Sequence, residues 1–89
     1  MRYERKKAEI HERYLPKTQR IIDVLESCVT PEQIQVCMKW EDGVLWQWER
    51  FEMEKTTSSD ETLAVIHEMR NLREMVTTVW NRIREKRQD

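Results

Sequence analysis

Six apolar residues near the C-terminus, Val65, Met69, Leu72, Val76, Val79 and Ile83, recur at spacings of 4, 3, 4, 3 and 4, and no polar residue interrupts the series. Positions at that spacing fall on one side of an α-helix, so residues 60–87 are predicted to form a long helix with a continuous apolar seam. The seam must be covered. Either the other helices of a small bundle cover it, or the same seam of a second copy does. The second option leads to the expectation of a homo-oligomer with Leu72, Val76 and Val79 at the contact.

The remainder of the chain agrees with a helical reading. One glycine and two prolines in 89 residues leave little of the turn chemistry that an all-β domain needs at each strand connection. A chain of this size buries only about two-thirds of the surface its unfolded form exposes, and self-association is a common supplement to so small a core. The expected fold is all-α, a single domain over 1–89 built as a small bundle of three to four helices with a long C-terminal helix.

The predicted elements follow from local signals. Residues 1–15 read as a basic, weakly amphipathic helix carrying Tyr3, Ile10 and Tyr14, and 17–28 resume the pattern with Ile21, Ile22, Val24 and Leu25. Pro16 lies between them and either kinks one helix or separates two, because proline lacks the backbone donor and clashes with the preceding turn. Thr30-Pro31-Glu32-Gln33 is a capping box with proline at the first helical position, so a helix should begin at Pro31 and run to about residue 55. Within it Gly43 costs about 1 kcal/mol relative to alanine. A hairpin over 34–52 is the rival, since Ile34, Val36, Met38 and Trp40 alternate with polar or small residues and Asp42-Gly43 is a turn signal. The cap upstream and the unbroken Val44-Leu45-Trp46 favour helix. Thr56 to Asp60 form a polar linker to the last helix.

The formal charge is −1, but it is unevenly placed: the first twenty residues are basic, residues 21–62 strongly acidic, and the remainder mildly basic. Segments of opposite sign attract one another in a compact bundle, and they lack the single basic face usual in nucleic-acid binders. No apolar stretch of signal-peptide or membrane-span length is present, which leads to the expectation of a cytoplasmic protein with reduced thiols. Cys28 and Cys37 are nine residues apart, the spacing of neither a redox pair nor a zinc knuckle.

Three of the four tryptophans, Trp40, Trp46 and Trp48, fall in the central helix. At about 100° per residue Trp46 and Trp48 project about 200° apart, so one face cannot bury both. The expected core stripe is Ile34, Cys37, Val44, Trp48 and Phe51, broken by Glu41, with Trp46, Met53 and Trp40 as candidate partner-binding residues. Glu41 is expected to be a paired acid, while Glu49 and Glu52 read as the wet face. Trp80 with Arg73, Arg84 and Arg87 is the candidate phosphate or ligand site, an aromatic plane beside cations. His11 and His67 have no second ligand at helical spacing, so no metal or other cofactor is expected. There is no phosphate-cradling glycine loop and no recognisable nucleophile beside a base, which argues against an enzyme.

Residues 21–33, Ile21-Ile22-Asp23-Val24-Leu25-Glu26-Ser27-Cys28-Val29-Thr30-Pro31-Glu32-Gln33, resemble the helix-turn-helix opening of short helical accessory proteins of bacteriophages and other mobile elements. The resemblance implies an accessory protein that acts by binding, an inhibitor of a host defence protein being one form of it. The sequence therefore leads to the expectation of a non-enzymatic, self-associating protein-interaction module. The alternative is a nucleotide or nucleic-acid binding module using Trp80 and its neighbouring arginines.

Overall fold

The computed structural model describes residues 2–87, with side chains through Lys86. Among them are three α-helices and no strand: α1 (Arg2–Ser27), α2 (Pro31–Glu54) and α3 (Ser59–Arg87). The segments 1–15 and 17–28 are thus one helix, which passes through Pro16. Glu12 and Pro16 are both exposed, so the Glu12 carbonyl that loses its backbone partner at proline faces the solvent side of the helix. The hairpin over 34–52 does not form.

The start of α2 follows the capping box. Thr30 Oγ1 accepts from the Gln33 backbone N–H at 3.2 Å, and the Gln33 side chain accepts from the backbone N–H of Thr30 at 3.2 Å and of Val29 at 2.8 Å. Ser58 plays the corresponding part for α3, its Oγ accepting from the Glu61 N–H at 3.3 Å. Both connections are short, so the chain runs up, down and up: Tyr14 of α1 meets the C-terminal end of α2, whereas Ile21, Ile22 and Leu25 meet its N-terminal end. The bundle is slender, 47 × 19 × 17 Å.

The apolar interior has two clusters. One joins Ile10, Tyr14, Leu45, Val65, Met69 and Leu72; the other joins Ile21, Ile22, Leu25, Ile34, Cys37 and Val76, and Trp48 and Met75 pack against both. The heptad seam of α3 is therefore consumed inside the chain. Leu72 and Val76 are fully buried, and Val79 packs against the second cluster. This corrects the expectation that Leu72, Val76 and Val79 make a contact between copies: α1 and α2 already cover them.

A second correction concerns α2. Phe51, expected in the core stripe, is half exposed under the Lys55 ammonium, which sits 3.8 Å from its ring centre, while Glu52, expected on the wet face, is fully buried. The reason lies on α1. Glu52 Oε2 accepts from Tyr14 Oη at 2.5 Å and from Arg13 Nη1 at 2.7 Å, and Lys6 Nζ stands 3.8 Å from Oε1. Burial pushes the Glu52 carboxyl up, but the hydrogen bonds from Tyr14 and Arg13 and the charges of Arg13 and Lys55 outweigh it and hold it below its ordinary value. The Tyr14 phenol is raised well above its usual range, by burial first and then by the carboxylate it donates to. Basic α1 and acidic α2 meet at this point.

Removing the Tyr14 hydroxyl tests the arrangement. Tyr14→Phe deletes one hydrogen bond to a buried carboxylate and should lower stability by about 1.5–3 kcal/mol at neutral pH. Because the Glu52 carboxyl titrates below its ordinary value, its contribution is present above that value and is lost as pH falls through the lowered one. Urea melts should therefore show the deficit of Tyr14→Phe narrowing in acid; an equal deficit at pH 7 and pH ~3 would mean that Glu52 is not the acceptor that matters.

Candidate interaction surface

The rotation of α2 that buries Glu52 also sets its tryptophans. Trp48, one turn before Glu52, lies against Tyr14 with ring centres 5.0 Å apart and the planes tilted by 30°. Trp46 is turned about 200° away from it. It is 57% exposed, and Trp40 is 51% exposed. Burying a tryptophan is among the largest apolar gains available to a small chain, so two left in water after the core is complete are the marked feature of this surface.

Trp46 borders an open groove of about 860 Å³ between α2 and α3, lined also by Arg50, Met53, Ile66, Arg70 and Arg73. Arg73 reaches across from α3, its guanidinium carbon 4.6 Å from the Trp46 ring centre and its two terminal nitrogens 3.3 and 3.4 Å from the carboxylate oxygens of Glu49. Trp46 and Met53 share this groove as expected from their places on the helix. Trp40 does not join them. It borders a second, almost wholly apolar groove of about 450 Å³ with Val24, Val36, Cys28 and Cys37. The exposed side of α2 between the grooves carries Gly43, and a Cβ built there would meet nothing within 4 Å.

Of the residues expected to form a phosphate site, Trp80 and Arg84 come together and Arg73 does not join them. Trp80 packs on the second core cluster with Arg84 stacked over it at 4.5 Å, whereas Arg73 is committed to Trp46 and Glu49. The side chain of Arg87 lies outside the described residues. The histidines have local partners: Tyr3 Oη is 2.6 Å from His67 Nδ1, and His11 Nδ1 is 2.8 Å from Glu68 Oε1. Among the described residues no group of three or more His, Cys, Asp or Glu side chains could hold a metal ion, and no helix is long and apolar enough to cross a membrane.

Glu41 departs from its expected pairing. It is buried at the α2–α3 contact, beside an open pocket lined also by Met38, Lys39, Asp42, Leu45, Arg73 and Thr77, and its Oε2 has no hydrogen-bond partner. Burial, and then the neighbouring charge of Asp42, raise its carboxyl to about 7, against a smaller opposing effect of Arg73. Burial likewise pushes the Cys37 thiol up to about 11, with smaller contributions from Cys28 and Glu41. Cys28 and Cys37 are not joined in a disulfide.

No protein-family model, no curated protein and no solved structure matches the chain.

The elevated carboxyl of Glu41 makes stability depend on pH in a defined sense. Its folded value lies above the ordinary one, so the protonated acid favours the fold below pH 4.5 and that contribution is lost as pH rises to about 7. Glu41→Gln should therefore match the wild type near pH 5 and exceed it by about 1–2 kcal/mol at pH 8, read from thermal melts at both values. A constant difference across that range would show that Glu41 finds a cation in solution.

Proposed function

We propose that this chain is a small, non-enzymatic protein-interaction module that works through the outward side of α2. The observation that carries the reading is the pair of half-exposed tryptophans, Trp40 and Trp46, on a helix whose core contacts are completed without them. Large aromatic side chains of this kind supply the anchors of protein interfaces, and arginines at the rim, here Arg50 and Arg70, add orientation and partner choice. Self-association is part of the proposal, on the α2 side and not through the buried seam of α3. The resemblance of residues 21–33 to accessory proteins of bacteriophages and mobile elements supports a cytoplasmic protein that acts by covering the surface of another, a host defence protein among the candidates. A nucleotide or nucleic-acid module has less support, because Arg73 is held at Trp46, away from Trp80.

Two alanine substitutions separate surface from core. Trp48→Ala removes a side chain shared by both core clusters and should cost about 3 kcal/mol or more, a large part of the stability of a domain this small. Trp46→Ala should leave the thermal melt within about 0.5 kcal/mol of the wild type. The same variant should weaken binding at the α2 face at least tenfold, measured as self-dissociation and as retention of proteins from a cell extract, as expected for a truncated anchor. If Trp46→Ala binds everything the wild type binds, the α2 face is not an interaction surface.

Oligonucleotide binding provides the contrast with the alternative. None is expected that weakens steeply with salt and disappears in Trp80→Ala; observing it would reverse the ranking of the two functions.

A further inference from the structure

We propose that Cys28 and Cys37 are a reversible dithiol pair, oxidised by small disulfides such as glutathione disulfide to a bond that ties the end of α1 to the second turn of α2. The two residues stand nine apart in sequence, but the fold brings their side chains together. Cys37 belongs to the buried cluster that holds Ile21, Ile22 and Leu25 of α1, Cys28 packs against the same cluster from just beyond the end of α1, and both line the groove bordered by Trp40. The Cys28 thiol lies within hydrogen-bonding reach of the Cys37 thiol. A disulfide between them therefore asks two neighbouring sulfurs to close to about 2.05 Å while the core holds both helices in place.

The surroundings give the two thiols different parts. Cys28 is only partly buried and Cys37 is 6% exposed, so a small disulfide arriving through the open groove meets Cys28 first. Cys28 gives up its proton to solvent and its sulfur attacks one sulfur of glutathione disulfide, forming a mixed disulfide; the old sulfur–sulfur bond breaks and leaves a glutathione thiolate, which takes up a proton. Cys37 then acts from within. It loses its own proton to solvent and attacks the Cys28 sulfur, which forms the Cys28–Cys37 bond and expels the second glutathione as a thiolate that is protonated in turn. Both cysteines are oxidised, and one glutathione disulfide is reduced to two thiols.

Burial, which pushes the Cys37 thiol up to about 11, makes it a poor attacker of an oxidant in solution. A target sulfur held beside it offsets that handicap by proximity. The only printed bond Cys28 gives up is its thiol donation to the Val24 carbonyl at 3.4 Å, at an exposed position where water can replace it. The groove beside Trp46 shares no lining residue with this site, so the disulfide forms whatever the α2 face binds.

Glutathione buffers test this on the full chain, from fully reduced to roughly tenfold excess of the disulfide form. The oxidised wild type should lose two hydrogen atoms in intact mass, resist alkylation at both cysteines after unfolding, and melt about 5 °C or more above the reduced form, because the cross-link restricts the unfolded chain. Dithiothreitol should reverse all three. Cys37→Ala should stop at one glutathione on Cys28, whereas Cys28→Ala should take up glutathione at least ~10-fold more slowly, since its remaining thiol is buried. Circular dichroism of the reduced variants checks that they are folded, and the wild-type comparison decides the proposal even where a variant unfolds. A wild type that keeps both thiols, carries only glutathione or links into covalent dimers overturns it. An internal disulfide that lowers the melting temperature overturns it as well, because the fold would then hold the sulfurs apart. Equal uptake by the two variants overturns the order of attack.

Discussion

A carboxylate buried at the end of α2 and held by donors of α1 sets the geometry of the bundle. Glu52 cannot enter an apolar interior without compensation, because desolvating an isolated carboxylate costs more than a domain of this size can offset. The two short hydrogen bonds from Tyr14 and Arg13, with Lys6 nearby, provide it. They also fix the rotation of α2 about its own axis. With Glu52 inward, Trp48 lies against Tyr14, Phe51 is displaced to the surface, and Trp46 projects away from the core.

Glu41 shows what the same helix face does without such donors. It occupies a core position of α2 about three turns before Glu52, but the cation that acts on it, Arg73, is already shared between Glu49 and the Trp46 ring. The acid is left to titrate near neutrality. The two glutamates therefore pull the stability of the domain in opposite directions with pH, one favouring the fold when ionised and the other when protonated. A groove is left on each side of the exposed face of α2, one toward α3 beside Trp46 and one toward α1 beside Trp40.

The parts of this arrangement that depend on local chemistry were legible in the residues. The capping box marks the start of α2 because its hydrogen bonds close within four residues, and the α3 seam is readable because its period matches the helix and no polar residue interrupts it. The opposite projection of Trp46 and Trp48 follows from helical geometry alone. Other features were not legible. Phe51 and Glu52 lie three and four residues beyond Trp48, both near enough to its face, and hydropathy chooses Phe51. The choice of Glu52 was made by donors more than thirty residues away in sequence. Pro16 is similar, since the chain continues as one helix where the affected carbonyl is turned toward solvent, and that depends on which face of α1 the other helices cover.

By itself the sequence determined an all-helical chain, the positions of its caps, the apolar face of α3 and the presence of more tryptophan on α2 than one face can bury, all of them consequences of periodicity and nearest-neighbour hydrogen bonding. Tertiary structure decided what covers the α3 seam, which glutamate is compensated and which is not, and therefore which tryptophans remain in water. Those outcomes depend on the alignment of donors and apolar surface between helices, and a buried charge is tolerated only where the facing helix places its partners within hydrogen-bonding reach.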